Sequence, residues 1–119
     1  MAECVFCKIA DGRIPAQTVW QDEHVLAFRD IRPLAPVHVL FIPKRHLETF
    51  ADLAGSGEPA LASLARGIRE VVAAEGLSRT GYRILSNNGP DAGQEVLHVH
   101  LHLLGGRDLG PMLLAARER

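Results

Sequence analysis

The sequence predicts an α+β fold in which an antiparallel sheet packs against one main helix. Two observations carry this prediction. Segments rich in β-branched and apolar residues come in two pairs, and the members of each pair are separated by only six to about ten residues, too few for a crossover helix. A single long segment with helical periodicity lies between the two pairs. We therefore expect two β-hairpins around one helix.

The first predicted hairpin pairs residues 25–30 with residues 37–42. The second of these segments is apolar on both faces, which is typical of a central, buried strand, and Pro43 ends it. A proline-punctuated connection, 31–36, joins the two strands. The segment 18–21 is compatible with a further short strand.

The main helix is predicted over residues 59–75. Pro59 suits its first turn, and Gly76 suits its C-terminal stop. Apolar residues recur there at helical spacing and predict the buried face: Leu61, Leu64, Ala65, Ile68, Val71 and Val72.

The second hairpin is predicted from residues 81–86 and 97–104. Its connection contains a loop, 87–93, that is rich in Asn, Gly and Pro. Gly105 and Gly106 follow the last strand and predict its end.

The composition predicts a single domain with one core. The chain has 119 residues, of which 47% are hydrophobic and 23% charged. A net charge of −1 argues against binding to nucleic acid or to an anionic membrane. No apolar run approaches the roughly 20 residues that cross a bilayer, and the N-terminus lacks the basic and apolar regions of a secretory signal. We therefore predict a cytoplasmic protein.

Histidines occupy every second position near the end of the predicted sheet, at His98, His100 and His102. Because side chains of a strand alternate between faces, the three imidazoles share one face. The apolar residues that alternate with them belong to the core: Val99, Leu101 and Leu103. The outer two Cα atoms lie roughly 13 Å apart, whereas histidine nitrogens bind zinc at about 2.0 Å. One ion is therefore not expected to bind all three.

This geometry favours a division of roles among the histidines. A neutral imidazole can attack phosphorus, and a second one on the same face can donate to the phosphate or to the leaving group. Backbone N–H groups of the glycine-bearing loop 87–94 can contact the anion. Two alternatives stay open: a hydrolase that uses neighbouring histidines as metal ligands, and a solvent-exposed polar face.

The two cysteines, Cys4 and Cys7, form a C-x-x-C pair. A structural disulfide is disfavoured in a reducing compartment, so metal binding and redox chemistry are the two options for this pair.

The segment 98–104 fits the His-φ-His-φ-His-φ-φ signature, with φ apolar, of the histidine triad (HIT) superfamily, which the chain resembles. Further blocks resemble the family in the same order: Phe6–Ile9, Ile14-Pro15, Ala27–Ile31, Ala35–His38, Ile42–His46, Gly81–Arg83 and Gly93–Val96. The blocks Leu103–Arg107 and Gly110–Leu113 resemble the histidine triad nucleotide-binding branch, especially its bacterial members.

The resemblance implies a single HIT domain over residues 1–119, with a sheet that extends across a homodimer. It implies a purine nucleoside phosphoramidate hydrolase that acts through a nucleotidyl-histidine and requires no cofactor for catalysis. Adenosine 5′-phosphoramidate and adenylyl-lysine are the substrate types implied, and a purine nucleoside monophosphate is the implied ligand. Nucleic acid and membranes are not expected partners.

The resemblance also implies a role for individual residues. His100 is expected to be the nucleophile, His102 to contact the phosphate and leaving group, and His98 and His38 to support and orient His100. The phosphate site is expected to contain Asn87, Gly93 and Gln94, and Asp30 is expected to hold the ribose hydroxyls. Glu95 is also expected to belong to the nucleotide site. The residues expected around the base are Phe6, Ile9, Phe28, Ile31 and Leu40.

Two departures from the family pattern affect the expected leaving group. Glu95 stands where some members have a serine, and an ionised carboxylate accepts hydrogen bonds but cannot donate one. The tail after Gly106 lacks the tryptophan of some relatives, and in this branch the tail can reach the partner's site. A nucleotide-binding scaffold with little catalysis and a dinucleoside polyphosphate hydrolase therefore stay as alternatives.

Some relatives with the same cysteine pair are thought to bind structural zinc. By this resemblance the ligands here are Cys4, Cys7, His46 and His98. The competing interpretation is a pair of reduced thiols with no metal.

Overall fold

Five strands form one antiparallel sheet in the computed structural model, which describes residues 4–57 and 59–113. The spatial order of the strands is β1-β2-β3-β5-β4, so both predicted hairpins are present and β3 is central. The strands are β1 (Thr18–Gln21), β2 (Val25–Arg29), β3 (Val37–Pro43), β4 (Tyr82–Leu85) and β5 (Leu101–Gly105). Every residue of β3 is buried, as predicted from its apolar character on both faces.

Three α-helices accompany the sheet in the described part of the chain. The main helix, α3 (Ala60–Ala74), is confirmed, with Pro59 as its N-cap. Two shorter helices, α1 (Val5–Ala10) and α2 (Phe50–Gly55), were not predicted. Both have six residues, too few for helical periodicity to be visible in the sequence. Their N-caps are polar side chains: Cys4 accepts from the Cys7 N–H, and a capping box joins Thr49 to Asp52.

The two faces of the sheet bury different clusters. The face towards α3 carries Val39, Phe41 and Leu103, which pack with residues of that helix. The opposite face carries Phe28 and Leu40, and Phe6 of α1 packs against them. The histidines belong to this second face, because His102 stands opposite Leu40 in the register of β5 and β3. The sheet therefore separates an ordinary apolar core from a histidine-bearing face.

The buried face of α3 differs from the predicted one. Leu61 and Ala65 are exposed, whereas the small residues Ala60, Ser63 and Gly67 are buried. A Cβ built on Gly67 would stand 2.5 Å from Cζ3 of Trp20, so the indole occupies the space that a side chain would need. Small residues thus let the helix approach the sheet, which a count of large apolar residues does not reveal.

The last strand is shorter than predicted. β5 begins at Leu101 and includes Gly105, so His98 and His100 precede the hydrogen-bonded ladder. The alternation nevertheless continues through the segment, because Val99, Leu101 and Leu103 all lie in the α3-side core. The prediction that the apolar residues face the core is confirmed, and the prediction of one continuous strand over 97–104 is wrong.

The other strands and the main helix begin and end within one residue of their predicted bounds. The loop 87–93 contains a short 3₁₀ turn, Pro90–Ala92. No helix in residues 4–57 and 59–113 has the length and apolar character needed to cross a membrane. Of the tail after Gly106, residues 114–119 lie outside the described part of the chain.

Candidate active site

A cleft of about 600 Å³ opens on the histidine-bearing face, between α1, the sheet and the loop 87–96. His100 and His102 line it, whereas His98 and His38 are not among its lining residues. It brings together all ten residues predicted to contact a nucleotide: Phe6, Ile9, Phe28, Asp30, Ile31, Leu40, Asn87, Gly93, Gln94 and Glu95. Six further lining residues were not predicted: Val5, Ile14, Pro15, Ala16, Arg29 and Val96.

The lining of the cleft divides into an apolar and a polar part. The polar part consists of the residues of the loop 87–96 and the two histidines. The apolar part is a slot formed by Phe6, Ile9, Phe28, Ile31 and Leu40. Half of the missed residues carried a weak signal in the sequence, because Val5, Arg29 and Val96 are immediate chain neighbours of predicted ones.

The imidazole of His100 has a fixed tautomer. Its Nδ1 lies 2.8 Å from the backbone oxygen of His98. Because a carbonyl oxygen can only accept, Nδ1 carries the hydrogen, and the neutral ring keeps its lone pair on Nε2. Phe6 packs edge-on against the ring, with 5.0 Å between the centroids. The result is a positioned imidazole whose nucleophilic nitrogen is the one not held by the protein.

His38 and His102 form a second hydrogen-bonded unit. The Leu34 N–H donates to Nδ1 of His38 at 3.1 Å, so Nδ1 is an acceptor and Nε2 of the neutral ring carries the hydrogen. That Nε2 donates to Nδ1 of His102 at 2.9 Å. The hydrogen of neutral His102 is therefore on its Nε2. The His100 and His102 rings lie 5.1 Å apart, which places an N–H donor beside the nucleophile.

The neutral forms of His38 and His102 are favoured. The pKa of His102 is lowered to about 4, first by burial and then by the neighbouring His100 and His38. Burial also lowers the pKa of His38, and Asp30, whose Oδ2 lies 3.5 Å from Nε2 of His38, partly opposes this effect. The tautomers assigned to His38 and His102 therefore apply at neutral pH.

Asp30, His38 and His102 also present ligand-type atoms within 4.8 Å of one another. The hydrogen bond from Leu34 argues against a metal there. If a metal bound Nε2 of His38, the ring hydrogen would have to be on Nδ1. The Leu34 N–H already donates to that Nδ1, so two hydrogens would face each other. This result disfavours the hypothesis of a metal-dependent hydrolase at this end of the histidine face.

The predicted metal ligands Cys4, Cys7, His46 and His98 do come together, with one ligand atom from each lying within 4.8 Å of the others. His98 donates from Nε2 to the backbone oxygen of Pro43 at 2.8 Å, so the lone pair of its Nδ1 faces the thiols. That Nδ1 lies 3.4 Å from Sγ of Cys4 and 3.5 Å from Sγ of Cys7. Nδ1 of His46 lies 3.3 Å from Sγ of Cys7.

The chemistry of this donor set fits zinc. Two sulfurs and two imidazole nitrogens are a common tetrahedral set, and the carbonyl of Pro43 orients His98 as an outer-shell acceptor does in zinc sites. Burial lowers the pKa of His98 to about 4, so the ring is a neutral ligand at pH 7. Burial also raises the pKa of the Cys7 thiol, and the nearby Cys4 raises it further. A bound cation would reverse that effect on the thiols.

The loop that borders the polar end of the cleft is braced by Gln94. Its Oε1 accepts from the Gly89 N–H at 2.8 Å, and its Nε2 donates to the backbone oxygens of Glu48 and Val96. The side-chain amide therefore holds the loop rather than pointing free into the cleft. Glu95, the next residue, is exposed at the cleft wall.

The fold and the arrangement of the four histidines define a histidine triad protein. The model of the HIT domain family matches residues 11–109. The chain is 45% identical to the purine nucleoside phosphoramidase of Escherichia coli K12 over 111 residues, which cover 93% of each chain.

Solved structures agree with this assignment. A HIT family hydrolase from Legionella pneumophila superposes with a TM-score of 0.85 at 50% identity, over 91% of this chain and 96% of that one. A histidine triad protein from Clostridium difficile gives 0.89 at 38% identity, over 95% and 98%. The chain therefore belongs to the HIT domain family, and the predictions of this family and of a HIT-type hydrolase are confirmed.

Proposed function

We propose that the protein hydrolyses the P–N bond of purine nucleoside phosphoramidates through a nucleotidyl intermediate on His100. The proposal depends on the fixed tautomer of His100. This tautomer leaves the Nε2 lone pair facing a cleft of nucleotide size. The similarity to the E. coli purine nucleoside phosphoramidase supports this choice of substrate class.

In the first step, Nε2 of His100 attacks phosphorus, the new N–P bond forms, and the bond to the leaving nitrogen breaks. The ring acquires positive charge, and its Nδ1–H donates more strongly to the His98 carbonyl as that charge develops. The leaving nitrogen takes one proton from solvent at the open cleft and departs as an amine. The Nε2–H of His102, which lies beside His100 at the cleft wall, is placed to donate a hydrogen bond to that nitrogen as it leaves.

In the second step, water attacks phosphorus from the side that the amine has left and gives up one proton to solvent. The P–Nε2 bond breaks, the lone pair returns to His100, and the nucleoside monophosphate departs. The Nε2–H of His102 and the backbone N–H groups of the loop with Gly93 supply donors to the phosphoryl oxygens in both steps. The apolar slot accepts the base, and the carboxylate of Asp30 is placed to accept from the ribose hydroxyls.

Incubation with an adenosine 5′-phosphoramidate tests the proposal. We expect release of ammonia and AMP, and a mass spectrum of the quenched enzyme with AMP attached at His100. His100→Gly is expected to lose turnover by at least a thousandfold while it still binds AMP. Undiminished turnover of this variant would refute the assignment of the nucleophile. Binding of AMP by the wild-type protein with neither adduct nor amine release would favour the scaffold alternative.

A comparison of substrates separates the two enzymatic alternatives. We expect kcat/KM for the phosphoramidate to exceed that for a diadenosine polyphosphate. The reverse order would favour a dinucleoside polyphosphate hydrolase.

We also propose that Cys4, Cys7, His46 and His98 hold a structural zinc ion. The neutral Nδ1 of His98, aimed at both thiols, supports this proposal. Zinc would join α1 to the segments that contain His46 and His98, and it would supply no chemistry to the hydrolysis. Elemental analysis is expected to find about one zinc per chain in the wild type and less than a tenth of that in Cys7→Ser. Full occupancy in Cys7→Ser would exclude this ligand set.

We further propose a homodimer in the cytoplasm. β4 is an edge strand whose Tyr82 and Ile84 are 46% and 42% exposed, and an unpaired edge with exposed apolar residues is a surface on which a second copy can pair. Light scattering is expected to give twice the chain mass of 13.0 kDa. A monomer mass at micromolar concentration would contradict the dimer.

A further inference from the structure

The main chain of His100 lies just beyond the end of the sheet ladder. Pairing between β4 and β5 ends at Leu85 and His102, so the His100 carbonyl is not part of a strand pair with β4. The hydroxyl of Ser86 takes the place of the next ladder bond, and its Oγ donates to the backbone oxygen of His100 at 2.9 Å. A side chain, and not the sheet, therefore holds this carbonyl.

Asn88 holds Ser86 in turn. Its Nδ2 lies 3.2 Å from both the backbone oxygen and Oγ of Ser86, and its Oδ1 accepts from the Phe50 N–H at 2.8 Å. Phe50 is the first residue of α2, and an N–H at that position has no partner within its own helix. Asn88 thus connects the start of α2 to the residue that holds the nucleophile.

The residue between them, Asn87, lines the cleft, whereas Ser86 and Asn88 do not. Adjacent side chains of an extended segment point to opposite sides. Because Ser86 and Asn88 make their hydrogen bonds on the side away from the cleft, Asn87 between them is directed at the phosphate end of the cleft. This segment therefore holds the main chain of His100 through Ser86 and presents Asn87 to the cleft.

We propose that Ser86 and Asn88 are positioning residues for the hydrolysis. Ser86 sets the position of His100 through its main chain, and Asn88 locks Ser86 and directs Asn87. The inference deepens the proposed function, because it depends on His100 as the nucleophile. Neither side chain touches the substrate, so their loss acts on the chemical step more than on binding.

Steady-state kinetics of Ser86→Ala and Ser86→Thr provide the first test. We expect Ser86→Ala to lower kcat about tenfold with KM within twofold, because small displacements of a reacting group lower rates by one to two orders of magnitude. Ser86→Thr, which keeps the hydroxyl, is expected to recover most of kcat. Ser78→Ala, at an exposed serine in the connection between α3 and β4, is the matched control.

Asn88→Asp provides a second variant that does not depend on how Ser86→Ala folds. The carboxylate keeps an acceptor for the Phe50 N–H but loses both donors to Ser86. We expect kcat to fall by about threefold or more, in the same direction as for Ser86→Ala. A rise in KM at constant kcat, or equal losses in Ser86→Ala and Ser86→Thr, would overturn the positioning role.

The rate at which diethyl pyrocarbonate acylates His100, read by peptide mass spectrometry, separates this inference from the proposed function. We expect slower acylation of His100 in Ser86→Ala than in the wild type and in Ser78→Ala. Slower acylation in a protein that cleaves no phosphoramidate would support the positioning role and contradict the proposed function. Unchanged acylation and unchanged kcat would overturn the positioning role.

Discussion

Burial of His102 makes the stability of this protein depend on pH in a way that one substitution can isolate. Burial lowers the pKa of His102 to about 4, from the ordinary histidine value of 6.5. The unfolded chain binds a proton at this histidine below about pH 6.5, and the folded protein does not until about pH 4. Stability from this group is therefore present above pH 6.5 and is lost progressively as the pH falls towards 4.

The magnitude follows from the two pKa values. Between pH 7 and pH 5 the unfolded state gains most of a proton at His102 and the folded state gains little, so the free energy of unfolding falls by about 2 kcal/mol. His102→Gln removes this contribution, while its amide oxygen can still accept from Nε2 of His38.

Urea unfolding followed by the fluorescence of Trp20, the single tryptophan of the chain, measures the effect. We expect the wild type to lose about 2 kcal/mol more than His102→Gln between pH 7 and pH 5, with equal m-values. Losses that agree within about 0.5 kcal/mol would refute the argument that burial keeps His102 neutral.

Three further predictions use local packing. Gly67→Ala is expected to destabilise the protein by about 1–3 kcal/mol, because its Cβ would meet the ring of Trp20. Gly55→Ala, whose Cβ would meet nothing within 4 Å, is expected to stabilise the protein by about 0.4–1 kcal/mol. Urea unfolding measures both changes. Phe6→Leu removes an edge contact with His100 and part of the apolar slot, so KM is expected to rise about tenfold in steady-state kinetics. Cys7→Ser is expected to lower the thermal midpoint by more than 5 °C and to make it insensitive to a chelator, as scanning calorimetry would show.

The strands and the main helix could be predicted because their patterns are long. β3 is a run of seven buried residues, and α3 has 15 residues of helical periodicity. α1 and α2 could not be predicted in the same way, because each has six residues and depends on capping and tertiary packing. The buried glycine at Gly67 was missed for a related reason, since its importance is the space that it leaves for a distant side chain.

The site residues could be named from the sequence, but their protonation could not. The predicted residues meet at one cleft, and the four metal-type side chains meet beside it. The tautomers depend on backbone groups, namely the Leu34 N–H and the carbonyls of Pro43 and His98. Backbone groups are the same for almost every residue type, so a residue pattern carries no information about which of them will face an imidazole.

These backbone contacts also explain why three similar side chains can have different roles. A carbonyl at Nε2 of His98 turns its Nδ1 lone pair to the thiols, and a carbonyl at Nδ1 of His100 turns its Nε2 lone pair to the cleft. The Leu34 N–H donates to Nδ1 of His38, and Nε2 of His38 donates to Nδ1 of His102, so His102 is a donor at its Nε2. Neutral imidazole has one donor and one acceptor, so fixing one nitrogen determines the other. The role proposed for each histidine therefore follows from the partner of the ring nitrogen that faces away from its site.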